Sequence, residues 1–595
     1  MKSIRLFICL FFLTNIICAQ DVDIQKKLVG FDKEMEKNLK DWNMPGVGVG
    51  IVKNGKLVFV KGYGYRDYEK KLPITANTLF QIASNTKLFT STAIGFLVDE
   101  GKLDWDKPIK TFVPSIQFYN NELNNTITIR DMLSHRTGVT RHDLIWYKSN
   151  FNRPELFEKL KYLEPAQPLR QGFLYNNLMY AASGHIINLM EGKTWEQYVQ
   201  EKILNPLKMN STVFSITDMR KQTDVFVPYN EKRDTTILYK INYLNETDGL
   251  GPAGAIVSNI NDLSHWLAAL MNKGMYEGKQ VIPKAVVNAT MEPSIALHNY
   301  SLDQGYTEIL NPVYGMGRQT QSYRGHNIVL HGGDLNGIHS QISYMPQDSI
   351  GLIVFVIGDH SLRYNSIIYN IYEHLLGLSI TPWSERGLKN RDASKKQGRE
   401  GREKAMAGQI KNTKPSHPLS DYMGDFENPA YGIINISQRD TSMLFTLHNI
   451  HLPIHHFHYD RFDTKNDEED GFYSLNYQTN PQGEIDRFVV SLDEGEVTFM
   501  KKADADLSSV ETLYKYTGKY KIGTNVTNII LKNKNHLFLE GSPDIELIPY
   551  KPNIFKTKEF ADLTIEFVLE NGIVKAMKQK DGSGEYEIKK DESQK

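Results

Sequence analysis

The sequence predicts an α+β chain: an antiparallel sheet flanked by helices, followed by small all-β units. Three observations carry this. Two strand-like runs joined by a tight turn stand near the start, in "PGVGVGIVKNGKLVFVKGYGY" from Pro45. A second hairpin pattern followed by a helix closes the region at residues 337–377. Beyond residue 418 the chain is rich in short alternating strands. A sheet built from both chain ends, with helices supplied by the middle, lets each element bury its apolar face.

Bulk properties narrow the classes. The chain has 595 residues, enough for three or four domains. It is 40% hydrophobic and 23% charged with a net charge of −1, so no nucleic-acid footprint is present at this level. The first residues, "MKSIRLFICLFFLTNIICAQ", place Lys2 and Arg5 before an apolar run ending at Cys18. The run is short for a bilayer span and reads as a secretory signal cut near Ala19, making the protein exported, periplasmic or secreted. No other segment approaches the length of a transmembrane helix. Both cysteines, Cys9 and Cys18, lie in this leader. A mature chain without cysteine has no disulfide scaffold, cysteine nucleophile or thiolate metal site.

The elements follow in order. Residues 23–42 are apolar at helical spacing. Asn54-Gly55 is the hairpin signal between the first two strands. "SNTKLFTSTAIGF", from Ser84, starts a helix that Gly101 ends. Residues 104–312 are mixed helix and loop. Gly337–His360 holds two apolar strands around the turn at Pro346–Ser349, and a helix follows to Gly377. Residues 381–418 are basic and poor in large apolar side chains, and read as a solvated linker or exposed helix. After them "LSDYMGDF" at Leu419 recurs as "LYKYTGKY" at Leu513. The repeat implies two β units, 419–505 and 506–595, as two barrels or two halves of one. His448–Asp460 is histidine-rich, but strand alternation divides its side chains between two faces, which favours a structural role over zinc.

Ser84 is where chemistry enters. A serine before an apolar run is ordinarily a helix cap. Lys87 stands three residues on, which places it on the same helical face, close enough to exchange a proton with Ser84. The helix dipole at that end favours an alkoxide. Two further elements supply what a nucleophile needs. Tyr175-Asn176-Asn177 precedes an amphipathic helix, with Tyr175 as a proton relay and Asn177 as a partner of Lys87 and of a substrate carbonyl. Taken alone, these two read as a packed tyrosine and a helix cap. His331-Gly332-Gly333 precedes the closing hairpin, where paired glycines admit a ligand backbone and the Asp334 N–H is placed to complete an oxyanion site with that of Ser84.

These three elements, in this order, resemble the serine β-lactamase and penicillin-binding superfamily, in its subgroup of class C β-lactamases, D,D-peptidases, D-aminopeptidases and esterases. "ITIRDMLSHRTGVTRHD" (Ile127–Asp143) and "GPAGAIVSNINDLSHWL" (Gly251–Leu267) are similar to the family as well. The resemblance implies a β-lactamase/transpeptidase-like domain over 20–380, then lipocalin-like barrels of the kind that follow such domains. It implies Ser84, Lys87 and Tyr175 as catalytic, and Asn177, His331, Gly332, Gly333 and Asp334 as substrate-binding. No metal or cofactor is required. The partner is a small peptide, ester or β-lactam-like substrate. Relatives that bind a substrate carboxylate place lysine on the third-motif strand. Here that strand offers His331 and the acidic Asp334, which suits a D-aminopeptidase, amidase or esterase better than a β-lactamase or D,D-carboxypeptidase. A binding protein that has lost catalysis is the remaining class.

Overall fold

The computed structural model describes residues 23–244, 249–358, 364–439, 442–492, 494–503, 505–533, 535–557, 559–560 and 563–591. The leader assigned to residues 1–19 lies outside them. The chain divides into two compact units, residues 1–409 and 410–595. Among the described residues no helix is long and apolar enough to cross a membrane.

In the first unit, Gly30 (φ 91°) interrupts the helical pattern of residues 23–42, and helix α1 covers Phe31–Asp41. Strands β1 (Gly46–Lys53) and β2 (Lys56–Asp67) pair antiparallel. Asn54 (φ 50°) and Gly55 (φ 73°) are both left-handed, the geometry a two-residue hairpin needs. The sheet continues through β3 (Leu72–Pro73), β4 (Ile295–Ala296), β5 (Ile309–Tyr314), β6 (Gln319–Tyr323), β7 (His326–Leu335), β8 (Ile338–Met345) and β9 (Ile350–Ile357). Its order is β4-β5-β6-β7-β8-β9-β1-β2-β3. The β1–β9 pairing, Gly46 opposite Ile357 through Lys53 opposite Ile350, joins the two chain ends as the sequence implied.

The alternation of "GVGVGI" explains the layers. Val47, Val49 and Ile51 face one side and join a core with α1, helix α5 (Tyr364–Leu376) and Trp383. Gly46, Gly48 and Gly50 face the other. A Cβ on Gly50 would sit 2.4 Å from Ile260 Cγ2, so glycine lets helix α4 (Ile260–Met271) lie directly on the strand.

Of the two forms expected for residues 381–418, solvated linker or exposed helix, the structure shows the helix, and one that is anchored at its start. Helix α6 (Trp383–Ala407) occupies most of the segment and docks on the first unit. Trp383 is buried and donates its Nε1 proton to the Tyr323 hydroxyl at 3.0 Å. Arg386 pairs with Glu308 (3.0 Å), Lys395 with Glu231 (2.6 Å) and Arg402 with Asp234 (2.6 Å). The basic composition is met by acids distant in sequence, which local pattern cannot reveal.

The second unit holds two closed eight-stranded barrels. In the first, strand Gly424–Asn428 pairs with Gly495–Lys501 to close the ring; in the second, Gly518–Ile522 pairs with Gly584–Lys590. The internal repeat marks their starts. Tyr422 and Phe426 of the first correspond to Tyr516 and Tyr520 of the second, all buried, and Gly424 and Gly518 both have positive φ. The histidine-rich strand Ile450–His458 alternates as expected, with Ile450, Leu452 and Ile454 buried and His451 and His455 exposed.

Candidate active site

The chain enters the site through a strained turn. Ala83 has φ 48°, a left-handed conformation that costs a non-glycine residue about 1–2 kcal/mol. The turn Ala83–Asn85 runs into helix α2 (Thr86–Asp99). Ser84 is not the cap its position suggested. The helix start has no side-chain cap, and the Asn85 amide donates to Ser340 Oγ at 2.8 Å. Ser340 Oγ in turn donates to the Ile82 carbonyl at 2.7 Å, which pins the turn to β8. Strand β7 closes from the side. A Cβ on Gly333 would sit 2.2 Å from Ile82 O and 3.0 Å from the Ala83 Cβ, so glycine is what lets β7 lie against the turn.

Ser84 is partly exposed, and its Oγ accepts two hydrogen bonds. One comes from the Tyr175 hydroxyl at 2.8 Å, the other from Lys87 Nζ at 3.1 Å. Lys87 is fully buried, and also donates to Asn177 Oδ1 (2.7 Å) and the Ala253 carbonyl (2.8 Å). Those three acceptors are neutral, so Nζ is oriented without being tied to any of them by charge. Ala253 lies in the "GPAG" turn (Gly251–Gly254), whose Pro252 carbonyl takes the Thr90 hydroxyl at 2.6 Å.

Asn176, not Asn177, caps helix α3 (Asn177–Glu191), accepting the Met179 N–H at 3.1 Å. Asn177 is thereby free to turn inward. Its Oδ1 faces Lys87, and its Nδ2 donates to Asp143 Oδ1 at 3.1 Å. Burial holds the Tyr175 hydroxyl well above its ordinary pKa, so it meets Ser84 as a neutral donor.

His135 (φ 58°) grips the tyrosine segment from both sides. Its carbonyl accepts the Leu174 N–H at 2.8 Å and its Nδ1 accepts the Asn176 N–H at 3.0 Å, while its ring lies 4.2 Å from that of Tyr175. Accepting at Nδ1 leaves the proton on Nε2, which is buried and has no hydrogen-bond partner among the described residues. Full burial keeps this imidazole neutral, far below its ordinary pKa.

On β7, His331 Nδ1 donates to the Gly332 carbonyl (2.6 Å), and Nε2 accepts from the Tyr314 hydroxyl (2.9 Å). Burial, reinforced by the nearby Lys87 charge, lowers its pKa to about 4, so the strand offers a neutral ring there. Gly332 and Gly333 stand opposite Gln341 and Ser340 on β8. The Asp334 side chain is 63% exposed and lies 2.6 Å from Nδ1 of its cross-strand neighbour His339.

The structure thus brings Ser84, Lys87, Tyr175, Asn177, His331 and Gly333 to one place, with Asp334 at its outer edge. Sequence reasoning misses His135, Asp143 and the Ala253 carbonyl, although all three lie in the two family-like stretches, Ile127–Asp143 and Gly251–Leu267.

The Beta-lactamase family matches residues 31–374, and a domain of unknown function, DUF3471, matches residues 408–502 over the first barrel. Unguisins hydrolase ungD' of Aspergillus campestris is 26% identical over 434 residues, covering 68% of this chain and 77% of that protein. Protein flp of Staphylococcus aureus is 29% identical over 333 residues, covering 54% of this chain and 61% of that protein, under two thirds of its length. The octameric penicillin-binding protein homologue from Pyrococcus abyssi shares the fold, with a TM-score of 0.51 at 20% identity, over 79% of this chain and 99% of its own.

Proposed function

The chain belongs to the Beta-lactamase family, and from that premise we propose that it is an exported serine hydrolase that acylates itself at Ser84. Its substrates are amides or esters of small molecules, foremost D-amino-acid-containing peptides and small esters. One observation carries the reading. Ser84 Oγ sits on a partly exposed turn within hydrogen-bond reach of both a buried amine and a neutral phenol, at 3.1 and 2.8 Å. A capping serine needs neither.

In this reading Lys87 acts from its neutral amine form, and Oγ attacks the carbonyl carbon as its proton passes to Nζ. The backbone N–H groups of Ser84 and Asp334 hold the oxyanion, each donor worth about 3–4 kcal/mol. Tyr175 donates its proton to the departing nitrogen or oxygen as the C–N or C–O bond breaks, and regains one from Lys87. Water then attacks the acyl-enzyme, losing its proton to the same pair and restoring Ser84. The neutral His331 supports substrates that need no cation at the third-motif strand.

A fluorophosphonate probe reads the nucleophile directly. The wild-type chain becomes labelled at Ser84, and Ser84→Ala does not. Equal labelling of the two proteins removes the assignment, and no labelling of either returns the chain to the class of catalytically silent binding proteins. Turnover of D-aminoacyl p-nitroanilides, p-nitrophenyl esters and nitrocefin, side by side, ranks the substrate classes.

A further inference from the structure

The third-motif strand carries no permanent cation beside Ser84, because His331 is neutral. The structure supplies one from a different element. Arg141, in the loop after Ile129–Leu133, lies with its guanidinium carbon 5.1 Å from the ring centroid of Tyr175. Its side chain is 51% exposed. Lys87 is the other cation against this ring, at 4.8 Å, and it is buried.

Arg141 is held rather than loose. Its Nε and Nη2 both meet Asp143 Oδ2, at 2.6 Å. The other oxygen of Asp143 takes the Trp146 Nε1 proton (2.8 Å) and the Asn177 Nδ2 proton (3.1 Å). Three side chains therefore share the Asp143 charge, and the carboxylate serves as an anchor for the guanidinium. The Nη1 edge of Arg141 has no hydrogen-bond or ion-pair partner among the described residues. A planar, pre-positioned N–H edge at a half-exposed position is suited to receive a carboxylate. Tyr175 touches both groups, its ring 5.1 Å from the guanidinium carbon and its hydroxyl 2.8 Å from Ser84 Oγ, so the two lie about one tyrosine side chain apart, within the ~7–10 Å reach of two to three extended residues.

We propose that Arg141, anchored by Asp143, is a carboxylate-binding subsite, and that the substrates carry a free carboxylate within about two to three residues of the scissile carbonyl. The substrate part of this rests on Ser84 being the nucleophile; the carboxylate site itself does not. It places anion recognition on the loop beside Tyr175 rather than on the third-motif strand, where His331 is neutral and Asp334 acidic, which adds to the substrate reading given above.

The test separates binding from chemistry by using the full-length Ser84→Ala protein. Titration calorimetry with D-alanyl-D-alanine and with D-alanyl-D-alaninamide compares ligands that differ only in the carboxylate. The acid binds about tenfold more tightly than the amide, as one charge-assisted contact allows. In Ser84→Ala/Arg141→Gln that preference disappears, and in Ser84→Ala/Arg141→Lys part of it returns. The two arginine variants are compared at matched thermal midpoints, so that a folding defect is seen as such: loss of amide binding together with acid binding. The proposal is overturned if acid and amide bind alike, if the acid does not bind, if the preference survives Arg141→Gln, or if the variant loses both ligands together. Probe labelling of the wild type at Ser84 is scored independently, so failure of the nucleophile assignment and failure of the carboxylate site give different results.

Discussion

At the scale of the residue, three histidines near the site are held neutral by burial. His331 and His142 are lowered to about 4 and His135 lies well below its ordinary value. Between pH 6.5 and about 4 the unfolded chain takes up protons at these positions and the folded chain does not. Their contribution to stability is complete above pH 6.5 and is lost as the pH falls toward 4, at up to about 1.4 kcal/mol for each unit by which a group is displaced. The thermal midpoint of the wild type therefore falls over this window, and His331→Gln flattens part of that fall. An unchanged slope in the variant removes His331 from the account. The same residues show what single positions disclose in a sequence. Ser84 and Lys87 were legible because their partnership is local, three residues apart where the turn Ala83–Asn85 enters α2. His135 was not. Its role rests on a positive φ and on two bonds to a segment about 40 residues away, which no periodicity encodes.

At the scale of the element, two glycines place two surfaces. Gly50 lets α4 lie on β1, and Gly333 lets β7 lie on the Ser84 turn. Alanine at either position must displace a neighbour, at a cost of about 1–3 kcal/mol. The consequences differ with what is displaced. Gly50→Ala pushes on Ile260, on the sheet face packed by α4, and lowers stability while leaving kcat of the folded protein near wild type. Gly333→Ala pushes on Ile82 O and the Ala83 Cβ, beside Ser84, the nucleophile we propose. A displacement on the order of 1 Å there lowers kcat/KM by about 100-fold. Steady-state kinetics with a p-nitrophenyl ester, alongside thermal melts, resolves the two; equal kinetic effects would show that Gly333 matters only for packing. The sheet itself was readable, since period-two alternation and the Asn54-Gly55 turn are local signals. The register that sets Gly333 against Ile82 depends on the closing of the sheet between distant strands, and the sequence marks it only as a pair of glycines.

At the scale of the whole molecule, the repeat at Leu419 and Leu513 announced the second unit, because each copy opens its barrel with the same buried aromatic pair and positive-φ glycine. Two barrels and two halves of one barrel differ only in which strands close the ring, and closure is a long-range pairing that the repeat leaves open. The end of the first unit was less visible. A basic stretch poor in large apolar residues has the composition of a linker, yet α6 contributes a buried Trp383 and ion pairs to Glu308, Glu231 and Asp234. The hydrolase unit thus extends to residue 409. A chain ending at residue 380 loses Trp383 from its core along with those pairs. Removing a buried tryptophan side chain ordinarily costs about 3–5 kcal/mol. The chain ending at 409 is expected to unfold in a single transition and to label at Ser84, whereas the chain ending at 380 melts well below it or accumulates as aggregate. Trp383→Ala in the full-length protein should reproduce most of that loss. If the two truncations melt together, α6 is a passenger on the surface and the boundary belongs at residue 380 after all.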